Sequence, residues 1–435
     1  SVFQFLAVIL VMQSLGALFA ALRFARYSLK AQPLRHHRHQ PKAVVIIPCK
    51  GLETGLEENI EAFCAQDYRE YEVILVTESK HDPAYRILSR IVKQSRRSAW
   101  LVVAGQAENR GQKIHNLIAA LETLNAVDRR ADILVFADSD ARPSRAWLAE
   151  LVAPLDEKRV GATTGFRWHL PHPEQSTASG VNGLAGRFSS ILLSVWNSSA
   201  LTLLGERSSF AWGGATAIRR DNFDNLGVRE RWNEALSDDY VLTSVVQEAG
   251  QRIKFVPAAL MPTPSEASFA GLIEFTTRQM KVTRVYAPGV WRVALVSQML
   301  FNVTLWGGLA WLVISSLRGR GSLLLAGLLA AILVLGAASS WVRVVVAARL
   351  MKTQRRQILS QRWVYPALAP LSSLLYLGNL LASAWSRRII WRGIGYEMLS
   401  PSETRIWLRP EVSESAEPIP PSSPRRPASA RSTRP

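Results

Sequence analysis

Two aspartates one residue apart close the stretch "ADILVFADSD" (131–140), and their spacing is the first sign of chemistry in the chain. Ile133 to Ala137 read as a buried strand, so Asp138 and Asp140 fall at its carboxyl end. Like charges that close raise the cost of ionising each other unless a cation lies between them. A hard divalent ion, Mg²⁺ or Mn²⁺, suits that role, because it takes few carboxylates and completes its shell with phosphate oxygens. An Asp-Ser turn would look the same in isolation.

Four further stretches carry candidate chemistry, each with a plainer alternative. "ENRGQKIHNL" (108–117) sets Asn109, Gly111 and Lys113 at the start of a helical run. A cation and backbone amides there suit an anionic phosphate, although a capped loop accounts for the same residues. In "GERSSFAWGGATAIRRDNF" (205–223), Trp212 offers a face to a sugar ring, and Gly213, Gly214 and Ala215 let backbone approach a ligand. A tight turn would use the same glycines. "EALSDDYVLTSVVQEAG" (234–250) leads Asp238 and Asp239 into an amphipathic helix. A helix cap accounts for one carboxylate, and the other is a candidate general base toward an acceptor hydroxyl. "FTTRQMKVTRVY" (275–286) carries Arg278, Lys281 and Arg284 at helical spacing. They read either as snorkelling cations of an interfacial helix or as contacts to leaving-group phosphates.

The elements that would position these groups are legible nearby. "AVVIIPCKG" (43–51), "YEVILVTES" (71–79), "AWLVVAG" (99–105) and "ADILVFADSD" are apolar runs separated by helix-like segments. Strands apolar on both faces and alternating with helices imply a mostly parallel sheet built from βαβ units. Ligands then bind outside the carboxyl ends of the strands. Those ends hold Pro48, Cys49 and Lys50, then Glu78 to Asp82, then Asp138 to Asp140.

The rest of the chain points to a membrane. It has 435 residues, 48% of them hydrophobic, and a mean hydropathy of +0.06. Residues 2–22, 293–317, 322–342 and 363–385 carry no charge, and each is long enough to cross the hydrocarbon layer. The first reads as an uncleaved anchor, since Arg23, Arg26 and Lys30 follow it. The net charge is +18. Its basic runs (23–42 and 343–362) flank apolar spans, which fits cytoplasmic juxtamembrane segments and argues against nucleic acid. Four full crossings would put Arg387, Arg388 and Arg392 on the opposite side, unless Pro366 and Pro370 bend the last segment into a re-entrant hairpin. The two cysteines, Cys49 and Cys64, have no disulfide or zinc spacing. "HHRH" (36–39) reads as a solvated basic linker, and the Pro- and Ser-rich end as disordered.

Taken in order, "ESKHDPA" (78–84), "FADSD", "WGGATAIRRD" (212–221), "SDDY" (237–240) and the basic motif before the later spans resemble the membrane glycosyltransferases of glycosyltransferase family 2. They are most similar to the ceramide glucosyltransferase group, with "WRGIGYEML" (391–399) adding support. The resemblance covers about residues 40–290. It implies a GT-A fold, which is Rossmann-like with a mostly parallel sheet, in a cytosolic domain with flanking transmembrane helices. It further implies a nucleotide-diphosphate sugar donor, Mg²⁺ or Mn²⁺, and inversion at the anomeric carbon. Glu78 and Asp82 would hold uridine, and Lys113 would lie near the diphosphate. Asp138 and Asp140 would bind metal and donor, and Asp239 would be the base. Trp212, Gly213, Gly214 and Asp238 would form the acceptor and sugar pocket. Arg278, Lys281 and Arg284 would meet the donor phosphates, although Lys281-Val282 stands where the family motif (Q/R)xxRW ends in Arg-Trp.

The expected division is an anchor (1–22), a basic linker (23–42), a catalytic domain (43–267), an interfacial segment (268–290), transmembrane helices (291–392) and a tail (393–435) disordered from about 408. The expected setting is a bacterial inner membrane with the catalytic domain facing the cytoplasm. So few spans favour a lipid acceptor. A polysaccharide synthase and a catalytically weak nucleotide-sugar-binding protein remain as alternatives.

Overall fold

The computed structural model describes residues 2–31, 40–95, 97–127, 130–171, 183–206 and 209–409. The HHRH tract and the chain from 410 onward lie outside them. The strands are β1 (Ala43–Pro48), β2 (Tyr71–Thr77), β3 (Ala99–Val103), β4 (Ile133–Ala137), β5 (Val160–Pro171), β6 (Ala215–Arg219), β7 (Arg252–Ser265), β8 (Arg388–Trp391), β9 (Ile394–Ser400) and β10 (Glu403–Leu408). The helices are α1 (Val2–Lys30), α2 (Leu56–Cys64), α3 (Pro83–Gln94), α4 (Gln112–Ala126), α5 (Trp147–Val152), α6 (Leu184–Ser198), α7 (Arg220–Asn225), α8 (Val228–Trp232), α9 (Asp238–Glu248), α10 (Phe269–Tyr286), α11 (Pro288–Asn302), α12 (Gly308–Leu317), α13 (Leu323–Leu350), α14 (Arg355–Ser360) and α15 (Val364–Trp385).

Strands β1 to β7 form one sheet in the order β3-β2-β1-β4-β6-β5-β7. The four strands read from the apolar runs are parallel, and β6 is antiparallel to both of its neighbours. Alternate residues feed two cores, as period-2 side-chain placement requires. Val45, Val73 and Val135 face one core; Val44, Ile74 and Leu134 face the other. Between β1 and β4 the strand order reverses, and an open α/β sheet leaves a crevice there outside the carboxyl ends. Asp138 and Lys50 flank that crevice. The edge strand β7 tolerates Pro257, Pro262 and Pro264 because an edge needs fewer backbone donors.

Among the described residues, four helical stretches are long and apolar enough to cross a membrane: α1, Pro288–Leu317, α13 and α15. They pack together, α1 against α13 and α15 against α11 and α13, and the bundle meets the sheet domain at one end. Near the domain, Tyr27 of α1 donates to the carbonyl of Phe255 at 2.6 Å. At the far end, Gln4 donates to Ser322 at 2.9 Å and Phe3 packs on Trp311. The domain core does not stop at the bundle, since Phe24 and residues 344 to 351 of α13 join the β1–β2 core.

α15 is placed differently. No hairpin forms at its prolines, and the helix runs unbroken through Pro370. Near its start, Tyr365 stacks on Trp168 of β5; near its end, the carbonyl of Ser383 accepts from Arg284 of α10 at 2.7 Å. Its start therefore rests on the sheet domain and its end on α10, and between them the carbonyl of Ser373 accepts from Asn302 of α11 at 3.2 Å. The chain then forms a second sheet, β10-β9-β8, its first strand in the stretch expected to be transmembrane (291–392) and the other two in the expected tail (393–435).

His169 of β5 is buried, and neither ring nitrogen has a hydrogen-bond partner among the described residues. Burial first, and then Arg167, hold its pKa well below the ordinary histidine value. Folded His169 stays neutral while the unfolded chain takes up a proton below about pH 6.5, so its effect is to lower stability as pH falls, by up to about 1.4 kcal/mol per pH unit. Thermal melts at pH 7.5 and 5.5 should show a smaller acid loss for His169→Leu than for wild type. Equal losses would remove His169 from the acid sensitivity.

Candidate active site

The crevice opens into a cavity of about 1260 Å³. Its polar end is built from strand termini and the first turns of helices. β4 delivers Asp138 and Asp140, α4 delivers Lys113, and α9 begins with Asp238 and Asp239. Carboxylates in the first turn of a helix are favoured by its macrodipole.

The cation joining the two strand-end aspartates is Arg167 of β5. Its guanidinium donates to Asp138 and to Asp140, each at 2.8 Å, and lies over the Trp212 ring at 4.6 Å. Lys113 adds a second bridge, 2.8 Å from Asp138 and 3.2 Å from Asp238. Burial opposes the Lys113 charge, but Asp138, Asp238 and Asp239 outweigh it and raise its pKa. Burial likewise works against ionised Asp138, and Lys113 with Arg167 reverse the sign and lower it. Asp238 is lifted to about 6 by burial, with Lys113 pulling down and Asp239 pushing up.

Gly213 and Gly214 explain their own size. A Cβ on Gly213 would stand 2.5 Å from Asp238 Oδ2 and 2.6 Å from Lys113 Nζ; one on Gly214 would stand 2.7 Å from Asp138 Oδ2. Trp212 is 7% exposed and packs edge-on against Phe166. Asp239 is half-buried. Its Oδ1 accepts from Ser237 Oγ at 2.5 Å and Tyr240 N at 2.8 Å, while Oδ2 accepts only a longer bond from Gly213 N, 3.3 Å. The Tyr286 hydroxyl of α10 accepts from Leu236 N and Ser237 N, so the helix beneath the bundle holds the acid loop.

Several expected residues have other partners. Glu78 pairs with Lys50 and, at 3.0 Å, with Arg409. Asp82 caps α3, accepting from Ala84 N, and also accepts from Gly51 N. Neither lines the cavity. At the start of α4, Gly111 N donates to the Ala235 carbonyl and Gln112 N to Tyr396, so these amides are engaged. Of the three α10 cations, only Arg278 lines the cavity. Lys281 donates to the Arg388 carbonyl at 2.7 Å, and Arg284 holds Ser383 and lies over Trp291.

Arg167, Glu53 and Arg392 are among the lining residues that escaped the sequence reading. Arg167 is a charge inside an otherwise buried strand, which is a signal in itself. Glu53 lies just past β1; it accepts from Ser139 Oγ at 3.1 Å and pairs with Arg392. Burial, then the Asp140 charge, raise Glu53 to about 7 against the pull of Arg392. Arg392 sits in the quoted WRGIGYEML stretch and comes from the sheet that was not foreseen.

The pair Asp138 and Asp140 fits a divalent cation. Asp140 Oδ1 is buried without a hydrogen-bond partner among the described residues, and hard oxygens are what Mg²⁺ and Mn²⁺ take. No cluster of three or more acidic, histidine or cysteine ligands occurs among the described residues, so such an ion would complete its shell from a ligand.

At the other end the cavity turns apolar. Trp196 and Tyr376, stacked at 4.7 Å, line it with Phe275, Val290 and Ala294. The last two lie in the first turns of α11. α6 is buried from Ser189 to Ser198 and packs against β5, α10 and α15.

A family model described as glycosyl transferase family 21 matches residues 6–403. Among solved structures, a mannosyltransferase from Pyrobaculum calidifontis in complex with GDP-Man and Mn²⁺ is 17% identical, covers 88% of this chain and 99% of its own, and has a TM-score of 0.46. A glucosyl-3-phosphoglycerate synthase from Mycobacterium tuberculosis in complex with Mn²⁺ and uridine-diphosphate-glucose is 16% identical, covers 55% of this chain and 77% of its own, and has a TM-score of 0.34.

Placing a methyl group inside the Lys113–Asp238 pair tests the packing directly. Gly213→Ala should lower stability by about 1–3 kcal/mol, read by thermal or chemical unfolding. Gly205→Ala, whose Cβ would meet nothing within 4 Å, should change little. Equal stability of the two variants would contradict the tight approach.

Proposed function

The chain belongs to glycosyl transferase family 21, and from that premise we propose that it moves a sugar from a nucleoside-diphosphate donor, a UDP-sugar, to the hydroxyl of a membrane lipid. The observation that carries the lipid acceptor is the shape of the cavity. One continuous space runs from Asp138 and Asp239 to Val290 and Ala294 on α11, a helix that belongs to a membrane-length stretch. A lipid lying along the bilayer can present its hydroxyl at the polar end while its chains stay beside the bundle.

In this reading Asp138 and Asp140 hold Mg²⁺ or Mn²⁺ together with the donor, and Lys113 faces the diphosphate. A divalent cation bound there supplies Lewis acidity toward the departing nucleoside diphosphate. Asp239 accepts the acceptor proton at Oδ2, its less engaged oxygen. The acceptor oxygen forms a bond to the anomeric carbon, and the bond from that carbon to the diphosphate breaks, with its electron pair leaving on phosphate. A single displacement inverts the configuration. Trp212 and Gly213 shape the sugar side, and buried Asp238 keeps Lys113 oriented.

The same reading gives three crossings, α1, Pro288–Leu317 and α13, with α15 packed across α10, α11 and α13 without crossing. The catalytic domain, the basic segments after α1 and α13, and Arg387, Arg388 and Arg392 then share the cytoplasmic side. A bacterial inner membrane suits this arrangement.

The test is transfer itself. Protein in detergent, native lipid, Mn²⁺ and a panel of radiolabelled UDP-sugars should yield label in the organic phase. Asp239→Asn should cut the rate by about 10²–10⁴-fold, and chelation or Asp140→Ala should abolish it. Label appearing only in an aqueous polymer would overturn the lipid acceptor, and full activity in Asp239→Asn would overturn the base.

A further inference from the structure

The α10 cation expected at the donor phosphates, Lys281, spends its ammonium on the Arg388 carbonyl and lies outside the cavity lining. Another cation enters the same cavity from a distant part of the chain. β8 and β9 pair antiparallel through Trp391 and Ile394, leaving Arg392-Gly393 as a two-residue turn. Both residues have positive φ, 52° and 79°, as a type I′ turn requires.

Asn and Gly are the residues that turn favours. An arginine held left-handed there stores strain and persists only where its surroundings fix it. What fixes it lies in the cavity. Arg392 pairs with Glu53, which is bonded to Ser139 between the two strand-end aspartates. Beside it, the Trp391 ring lies 5.5 Å from the Arg278 guanidinium. Arg167, Arg278 and Arg392 therefore converge on one space shared with Asp138 and Asp140. Three guanidinium groups repel one another unless anions lie among them, and each offers a planar fork of donors matched to phosphate oxygens.

We infer that Arg392, delivered by the C-terminal hairpin, binds the diphosphate of the nucleoside-diphosphate donor, the role that motif spacing would give to Lys281. This rests on the glycosyl-transfer reading above. Glu53 holds the side chain over the strand ends, and a diphosphate placed there would gain a bidentate contact from it. The turn's strain then has a function, because the residues better suited to the backbone there, Asn, Asp and Gly, carry no positive charge.

The test separates backbone from charge. Arg392→Gly and Arg392→Asn suit a left-handed turn and remove the guanidinium, while Arg405→Ala changes an exposed arginine of β10. Binding of UDP and of UMP to the full chain in detergent with Mn²⁺ is measured by calorimetry, beside thermal melts. Arg392→Gly and Arg392→Asn should keep a melting temperature at or above wild type and bind UDP 10- to 100-fold more weakly, with UMP affinity changed less than threefold. Arg405→Ala should match wild type throughout. Wild-type UDP affinity in both Arg392 variants would overturn the inference while leaving the glycosyl-transfer reading intact. Equal losses for UDP and UMP, or a fall in melting temperature that accounts for the loss, would assign Arg392 a structural role and overturn it too. Failure of the wild-type chain to bind UDP would overturn both readings together.

Discussion

Two carboxylates held close together at the end of β4 are costly to cover without cations beside them, and much of the site follows from that constraint. Arg167 comes from β5 and Lys113 from α4, on opposite sides of β4 in the sheet order, and both reach Asp138. The parallel and mixed halves of the sheet are thus joined by charge at the point where the ligand cavity begins. Removing one member of such a buried set strands its partners at a cost of several kcal/mol. Gly213 and Gly214 follow from the same requirement, because side chains there would displace the charges.

The bilayer side of the molecule takes part in this arrangement. Tyr286 at the end of α10 holds the backbone before Asp238, and Tyr240 bonds to Thr283 on the same helix at 2.7 Å. α10 runs beside α15, to which Thr277 is bonded through Asn379. The acid loop is therefore held by helices that pack on the apolar bundle.

The first four strands were legible because a parallel strand covered on both faces must be almost continuously apolar. β5 to β7 did not announce themselves in that way. β5 carries Thr163, Thr164, Arg167 and His169 in a buried strand, and β7 is broken by prolines that only an edge tolerates. The motif residues Asp138, Asp140, Lys113, Gly213, Gly214, Asp238 and Asp239 were legible as local patterns, and the fold brings them around one cavity. Glu78, Asp82, Lys281 and Arg284 are bonded to Lys50, Gly51, Arg388 and Ser383, and such partners have no signature in a local motif. Arg167 and Arg392 are a like case, since pairing across long stretches of chain leaves no local signature.

The core beneath the sheet is shared, with Phe24 of α1 tilted against Phe255 of β7 and the end of α13 packed into the same cluster. The catalytic part is therefore not a cartridge that could be cut out and kept in water. A fragment trimmed to residues 43–267 would lose apolar partners from both sides of the cut and expose their seats to solvent. A chimaera that exchanged the sheet of this chain while keeping its helices would meet the same barrier, since the sheet and the feet of the helices share one core.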